Sequence, residues 1–382
     1  MAGAPRAQGS AGEPVRVPVW DGFVRLFHWS LVATLATAAA SGFFGDATWV
    51  EVHLWSGIAA AALVALRVLW GFLGPTHARF GDFLAGPKAM RAHLRGLLSG
   101  GGVRHRGHNP LGGAMVLALL LVVALLAATG TIALGGVLKS GPLAFATSFA
   151  TGWELRGLHR LLAFLLLGLI ALHLAGVLVE SRRSRENLVL ALVDGRKEAR
   201  AGDHPPAPRR ARPVVAALLG GGLLAVSAAA VWSFAARPGL GVPSAPLDPT
   251  YAEECSACHV AYHPSLLPRA SWATLMAGLD DHFGENASLD PETAAAIAAY
   301  LQANAAEAYD TKAANRLRRV AAERPFSITA TPFWRRTHAG LPEALFASRP
   351  VGGRGNCEAC HGDARSGRFD PTAIHVPEET TP

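Results

Sequence analysis

The sequence predicts an all-α protein in two parts. A four-helix transmembrane bundle and a fifth transmembrane helix come first, and a small, mostly helical domain on the far side of the membrane follows. Three observations predict it. Five stretches of roughly twenty residues, long enough to cross hydrocarbon as helices, are almost purely apolar: 23–44, 52–74, 111–134, 155–179 and 214–235. Lysine and arginine crowd alternate loops between them. Beyond residue 236 the apolar runs stop, and all four cysteines lie there.

The elements follow in order. Residues 1–16 read as a disordered tail, 17–200 as the four-helix membrane domain, and 201–235 as a basic linker leading into the fifth helix. Only 16% of the 382 residues are charged, against about 25% in an ordinary soluble domain, which excludes a large soluble helical core. Segment 75–110 carries Arg79, Lys88, Arg91, Arg95, Arg104 and Arg106 against the single acid Asp82, and 180–213 carries nine more bases. Segment 45–51 has only acids, and 135–154 has one base, Lys139. Positive-inside logic puts the N-terminus and the two basic loops in the cytoplasm. Helix five then delivers 236–382 to the periplasmic side of a bacterial inner membrane, through a Pro- and Gly-rich tether at 236–250. The basic balance is thereby a consequence of topology and calls for no nucleic acid.

The exported cysteines stand as Cys255-Ser-Ala-Cys258-His259 and Cys357-Glu-Ala-Cys360-His361. C-x-x-C-H is the attachment spacing of c-type haem: two thiols bind the macrocycle and the next histidine reaches the iron from below. A zinc site built from all four thiols would leave both histidines unused. Two covalent haem c groups are therefore expected, with His259 and His361 as proximal iron ligands. For the sixth positions, His282 and His338 have enough intervening chain to fold back. Met276 is the alternative for the first haem, where it would raise the potential. His263, only four residues after His259, reads as a surface or supporting residue, and His375 sits in a Pro- and Glu-rich end.

The run CSACHVAYHPSLLPRASWATLMAGLDDHFGE, with TPFWRRTHAG and NCEACHGDARSGRF, resembles the bacterial dihaem cytochrome c family over roughly 250–378. The resemblance implies a small helical fold with two bis-histidine haems, and His282 and His338 as their distal ligands. It leaves open which distal histidine serves which haem; the simplest pairing is His282 with the first and His338 with the second.

Within the apolar spans the histidines are His28, His53, His159 and His173. Ionisable groups in hydrocarbon are functional candidates by default. His159 and His173 are fourteen residues apart, roughly 21 Å of helical rise and about 40° short of four full turns, so they share one face. His28 and His173 lie at the cytoplasmic level, His53 and His159 at the outer level. Two trans imidazoles per level suit a haem iron, whereas zinc would gather three or four ligands in one place. An inner haem b on His28 and His173 and an outer one on His53 and His159 are expected. Arg25 and Arg160, at the rims, are candidate partners of haem propionates, against the alternative of snorkelling to the interface. The opening VWDGFVRLFHW, with HLWSG on helix two, resembles the prokaryotic cytochrome b561 family over about 17–200. That resemblance implies two b-haems with ligands on helices one, two and four.

The expected function is a tetrahaem conduit. It takes electrons, quinol-derived, through two b-haems to two periplasmic c-haems and on to a soluble periplasmic acceptor, which the resemblance to the dihaem cytochrome c family implies is a c-type haem protein. Two other readings stand beside it: an anchoring subunit that passes electrons from a dehydrogenase or hydrogenase to quinone, and a superoxide:quinone oxidoreductase. The direction of flow, the quinone site and the oligomeric state are not marked in the sequence.

Overall fold

A computed structural model describes residues 15–99, 104–200, 203, 207–320 and 326–377. Most of the expected N-terminal tail and part of the 201–212 linker lie outside the described residues. The fold is all-α. Its one small sheet pairs β1 (Arg16–Pro18) antiparallel with β2 (Arg196–Glu198).

Five helical segments are long and apolar enough to cross a bilayer. They are α1 (Gly22–Phe44), α2 (Val50–Leu73), α5 (Pro110–Ala133, extended by a wide turn to Leu138), α6 (Phe149–Ser184) and α8 (Pro213–Ala235). Between α2 and α5 the basic loop folds into α3 (Phe80–Phe83) and α4 (Pro87–Leu98), and α7 (Leu188–Asp194) follows α6. At 36 residues, α6 is roughly 54 Å long, well beyond the ~30 Å of hydrocarbon. Its last turn carries Arg182 and Arg183.

The chain forms two compact units. The first runs to Ala40 and adds Val52–Ala127 and Leu161–Val226; the second joins Ser41–Glu51, Ala128–Arg160 and Ser227–Pro382. The C-terminal region therefore folds in one unit with the neighbouring ends of the membrane helices, residues 41–51 and 128–160.

The first unit packs around Phe27, Val64, Phe83, Leu120, Val123 and Leu166. In lipid such helices gain little from the hydrophobic effect, and close van der Waals packing holds them. At its basic end, Arg104 pairs with Glu186 and with Asp203 at 2.6 Å, and Arg106 reaches Asp203 at 2.8 Å. Those charges tie the loop before α5 to the segment after α6.

In the second unit the outer ends of α5 and α6 meet at glycines: a Cβ on Gly152 would lie 2.6 Å from Gly136 Cα. Among the described residues the C-terminal part holds α9 (Pro249–Cys255), α10 (Arg269–Ala277), α11 (Pro291–Ala303), α12 (Lys312–Leu317), α13 (Pro332–Thr337) and α14 (Glu343–Ala347). An Asp- or Thr-Pro pair starts three of these helices. Asp248, Asp290 and Thr331 accept backbone N–H groups of the first turn, and proline takes the next position; the missing proline N–H costs nothing there. The core is Tyr251, Leu267, Trp272, Ile297 and Leu301, with Trp272 Nε1 donating to Pro264 O at 2.8 Å. Ile297 and Leu301, each 1% exposed, contribute about 1.5–3 kcal/mol apiece. The segment 236–250 is bonded at its middle: Leu240 N–H donates to Ala144 O at 2.8 Å, and Gly241 O accepts from Asp310 N–H at 2.7 Å.

Candidate haem-binding centres

His28 sits two turns into α1. Asp21 caps that helix by accepting the N–H groups of Phe23 (2.9 Å) and Val24 (3.1 Å). The chain entering it is pinned by Gly195 O, which accepts from Val19 and Trp20 N–H. His173 stands opposite on α6, and the two ring centroids are 6.5 Å apart. His28 Nδ1 is buried with no protein partner. Beside it, Arg25 Nη1 donates to Val193 O at 2.7 Å while its Nε is buried and unpartnered.

The outer histidines fall in different compact units. In the first, His53 Nδ1 lies 2.9 Å from Ala38 O. In the second, His159 Nδ1 lies 3.2 Å from Thr129 Oγ1, and Gly130 gives its ring room, since a Cβ there would come within 3.1 Å of Cε1. Arg160 is exposed. Arg67, near the end of α2, is only 3% exposed, packs its guanidinium on Phe80 and leaves Nη1 unpartnered.

In the C-terminal part the structure brings together His259 with His282 and His338 with His361, each pair at 6.2 Å between centroids. No two of the four cysteines are joined as a disulfide. In the second pentapeptide the backbone turns tightly, His361 N–H donating to Cys357 O at 2.9 Å, and residues 361 and 374 pair behind it. Trp334 stacks on the His338 ring at 4.3 Å. Burial pushes the Cys255 and Cys357 thiols up to about 11. Burial, with the facing histidine second, lowers His282 and His361. Those imidazoles are neutral at pH 7, the form that ligates.

These pairs fit a haem iron. Two imidazoles on one metal, each nitrogen about 2 Å from it, hold their ring centroids roughly 6.3 Å apart. Among the described residues no group of three or more His, Cys, Asp or Glu converges as a multi-ligand metal centre would need. Facing pairs leave four in-plane positions to a macrocycle.

The tautomers sort ligand from support. A carbonyl only accepts, so Nδ1 must donate where His53 meets Ala38 O, His259 meets Val260 O (2.8 Å) and His338 meets Trp334 O (2.8 Å). Nε2 then keeps its lone pair for a metal. His263 is the reverse: its Nδ1 accepts from Ser265 N–H at 3.2 Å, so the proton sits on Nε2. It is 3% exposed and lies under Tyr309, a buried supporting residue. Met276 packs against the Tyr251–Trp272 core, and His375 offers its N–H to Cys360 O.

Two features had no signal in the sequence. Phe283 and Phe369 adopt positive φ (56° and 54°), a costly conformation for a bulky side chain, and each ring contacts a haem-site histidine, His282 at 4.9 Å and His361 at 5.1 Å. Strain of this kind gathers at ligand clamps.

Residues 19–195 match the family described as prokaryotic cytochrome b561, and 251–369 match dihaem cytochrome c. A dihaem cytochrome c from Rhodobacter sphaeroides is 41% identical over 32% of this chain and 95% of its own, with a TM-score of 0.28. Another crystal structure of DHC from Rhodobacter sphaeroides shares 38% identity over 32% of this chain and 96% of its own, TM-score 0.26. The dihaem cytochrome c of Shewanella baltica OS155 shares 34% over 35% and 95%, TM-score 0.28. No curated protein matches the chain. The chain belongs to the dihaem cytochrome c family through residues 251–369 and joins that module to a prokaryotic cytochrome b561 domain at 19–195.

Proposed function

We propose that the protein takes electrons from membrane quinol and delivers them to a soluble acceptor on the periplasmic side. The two families make it a haem-based membrane electron-transfer protein with two haem b and two covalently attached haem c groups. When bound, those haems supply the one-electron chemistry. The chain supplies ligands, burial and spacing. His28 and His173 would hold the inner haem b, and His53 and His159 the outer one, the latter assignment resting on the sequence pattern and the family resemblance. Cys255, Cys258, His259 and His282 would hold the first haem c, and Cys357, Cys360, His361 and His338 the second. Arg25 and Arg160 would meet propionates. Under the basic-loop rule the N-terminus is cytoplasmic and the dihaem module periplasmic, in a bacterial inner membrane. A small soluble c-type haem protein suits the acceptor role.

One observation carries the reading: α6 bears both His159 and His173, and its outer end folds in one unit with both haem c sites. Both membrane histidines of α6 thus lie on the helix whose first residues, up to Arg160, fold in the same unit as the haem c sites. The test is a pyridine haemochrome assay of the full chain in membranes with stopped-flow reduction by duroquinol. Equal b and c haem, with b reduced before c, supports the conduit. His173→Ala should remove one haem b, spare both c-haems and abolish duroquinol-driven c reduction. Reduction of c ahead of b in the wild type would overturn the direction.

A further inference from the structure

The outer face of the membrane domain and the dihaem module share one half-buried carboxylate. Lys139 ends the α5 segment, in the left-handed region at φ 54°, with its side chain only 4% exposed. Its Nζ donates to Thr147 O at 3.0 Å and to Asp310 Oδ2 at 2.7 Å. The same Oδ2 accepts the N–H of Phe149, the first residue of α6, at 2.7 Å, and Asn315 Nδ2 donates to Oδ1 at 3.1 Å. Lys139 and Phe149 belong to the cytochrome b561 match, Asp310 to the dihaem cytochrome c match. A side chain 161 positions away along the chain therefore caps the helix that carries His159 and His173.

The surroundings reinforce the joint. One residue before the carboxylate's own backbone bond to Gly241 O, Leu240 N–H pairs with Ala144 O. Arg316, one turn along α12, lies over the Trp153 ring at 4.0 Å and the Phe149 ring at 5.6 Å. The turn 47–49 packs against 371–373, next to the strand-like pairing behind His361. An exposed ion pair would be energetically idle, but this lysine is buried and the carboxylate meets three donors. Removing one partner of such a pair leaves an uncompensated charge, which is strongly destabilising, whereas neutralising both is far milder.

We propose that Asp310 is the positioning residue that latches the dihaem module onto the outer ends of the third and fourth membrane helices. The module then works in one docked pose, not as a carrier swinging on the 236–250 segment. Its relevance to electron flow rests on the conduit reading above; the docking itself does not.

The test uses the full chain in detergent and two readouts. Thermolysin cleavage near Leu240, followed by release of a haem-staining fragment, reports docking. Duroquinol-driven c-haem reduction reports conduction. Asp310→Asn keeps the size and an acceptor oxygen but strands the Lys139 charge. It should speed fragment release on the order of a hundredfold and slow c reduction about tenfold or more, because a freed module must re-encounter its donor. Covalent haem c content stays at the wild-type value, and c reduction is expressed per haem b so that any loss of haem b is taken out of the readout. The double variant Lys139→Met/Asp310→Asn removes both charges and should return both readouts to within about tenfold of wild type, the non-additivity expected of a coupled pair. Wild-type protection in Asp310→Asn, or a double variant no better than the single, overturns the latch. If the wild type shows no duroquinol-driven c reduction, the conduit reading fails while the cleavage readout still decides the latch.

Discussion

His263 makes the acid stability of the dihaem module calculable. Its ring is 3% exposed, under Tyr309, with Nδ1 taking the Ser265 N–H that starts the 264–266 turn. Burial pushes its pKa from 6.5 down to about 4. Above pH 6.5 the imidazole is neutral in both folded and unfolded chains, and stability is complete with respect to this group. Between 6.5 and about 4 the unfolded chain takes up a proton that the folded one refuses, so stability falls with pH and the loss levels off below about 4. At about 1.4 kcal/mol per pKa unit the gap amounts to about 3 kcal/mol, a large part of the 5–15 kcal/mol typical of a domain. The assay is guanidinium unfolding of the full chain in detergent at pH 7 and pH 4, followed by the c-haem Soret circular dichroism. His263→Asn keeps an acceptor at the turn and cannot titrate. The variant should lose about 3 kcal/mol less than wild type on acidification. An equal loss in both proteins would refute the reasoning.

The other expectations concern ligands and packing. His338→Ala should leave the second haem c covalently attached through Cys357 and Cys360 but convert it to high spin in the electron paramagnetic resonance spectrum. His263→Ala, which removes the wrong tautomer for ligation, should leave both c-haems low-spin. Gly152→Val puts a Cβ 2.6 Å from Gly136 Cα and should cost about 1–3 kcal/mol by overpacking, read as a lower thermal midpoint for loss of haem b. Gly157→Ala, with nothing within 4 Å of its added Cβ, should leave that midpoint unchanged.

Much of the architecture is legible in the sequence because the bilayer sets a length. Any helix that crosses it needs about twenty apolar residues, so the five spans stand out from composition alone. The pentapeptides are legible because attachment chemistry fixes a local spacing. The fourteen-residue interval between His159 and His173 is legible because helical geometry converts it into a shared face. What stays hidden is non-local. Lys139 reads as one base in an outer loop, and nothing near it announces a carboxylate from another module. His263 looks like a surface histidine until Tyr309 closes over it. Phe283 and Phe369 carry no glycine or asparagine signal for positive φ, since the surrounding fold imposes that conformation. Arg67 is ambiguous in the sequence because a long side chain near a span's end can snorkel or turn inward, and only packing decides.

The carboxylate at the start of α6 also has a consequence for biogenesis. Until the C-terminal module has folded, Lys139 faces no counter-charge and Phe149 N–H has no acceptor from Asp310. The outer end of the helix that bears His159 is completed only when the dihaem module has matured and docked. A chain whose cysteines fail to receive haem would therefore leave its membrane half unfinished as well. Cys357→Ala should reduce the recovery of haem b, although it changes nothing within the lipid. Maturation of the exported module thereby acts as a checkpoint on assembly of the bundle.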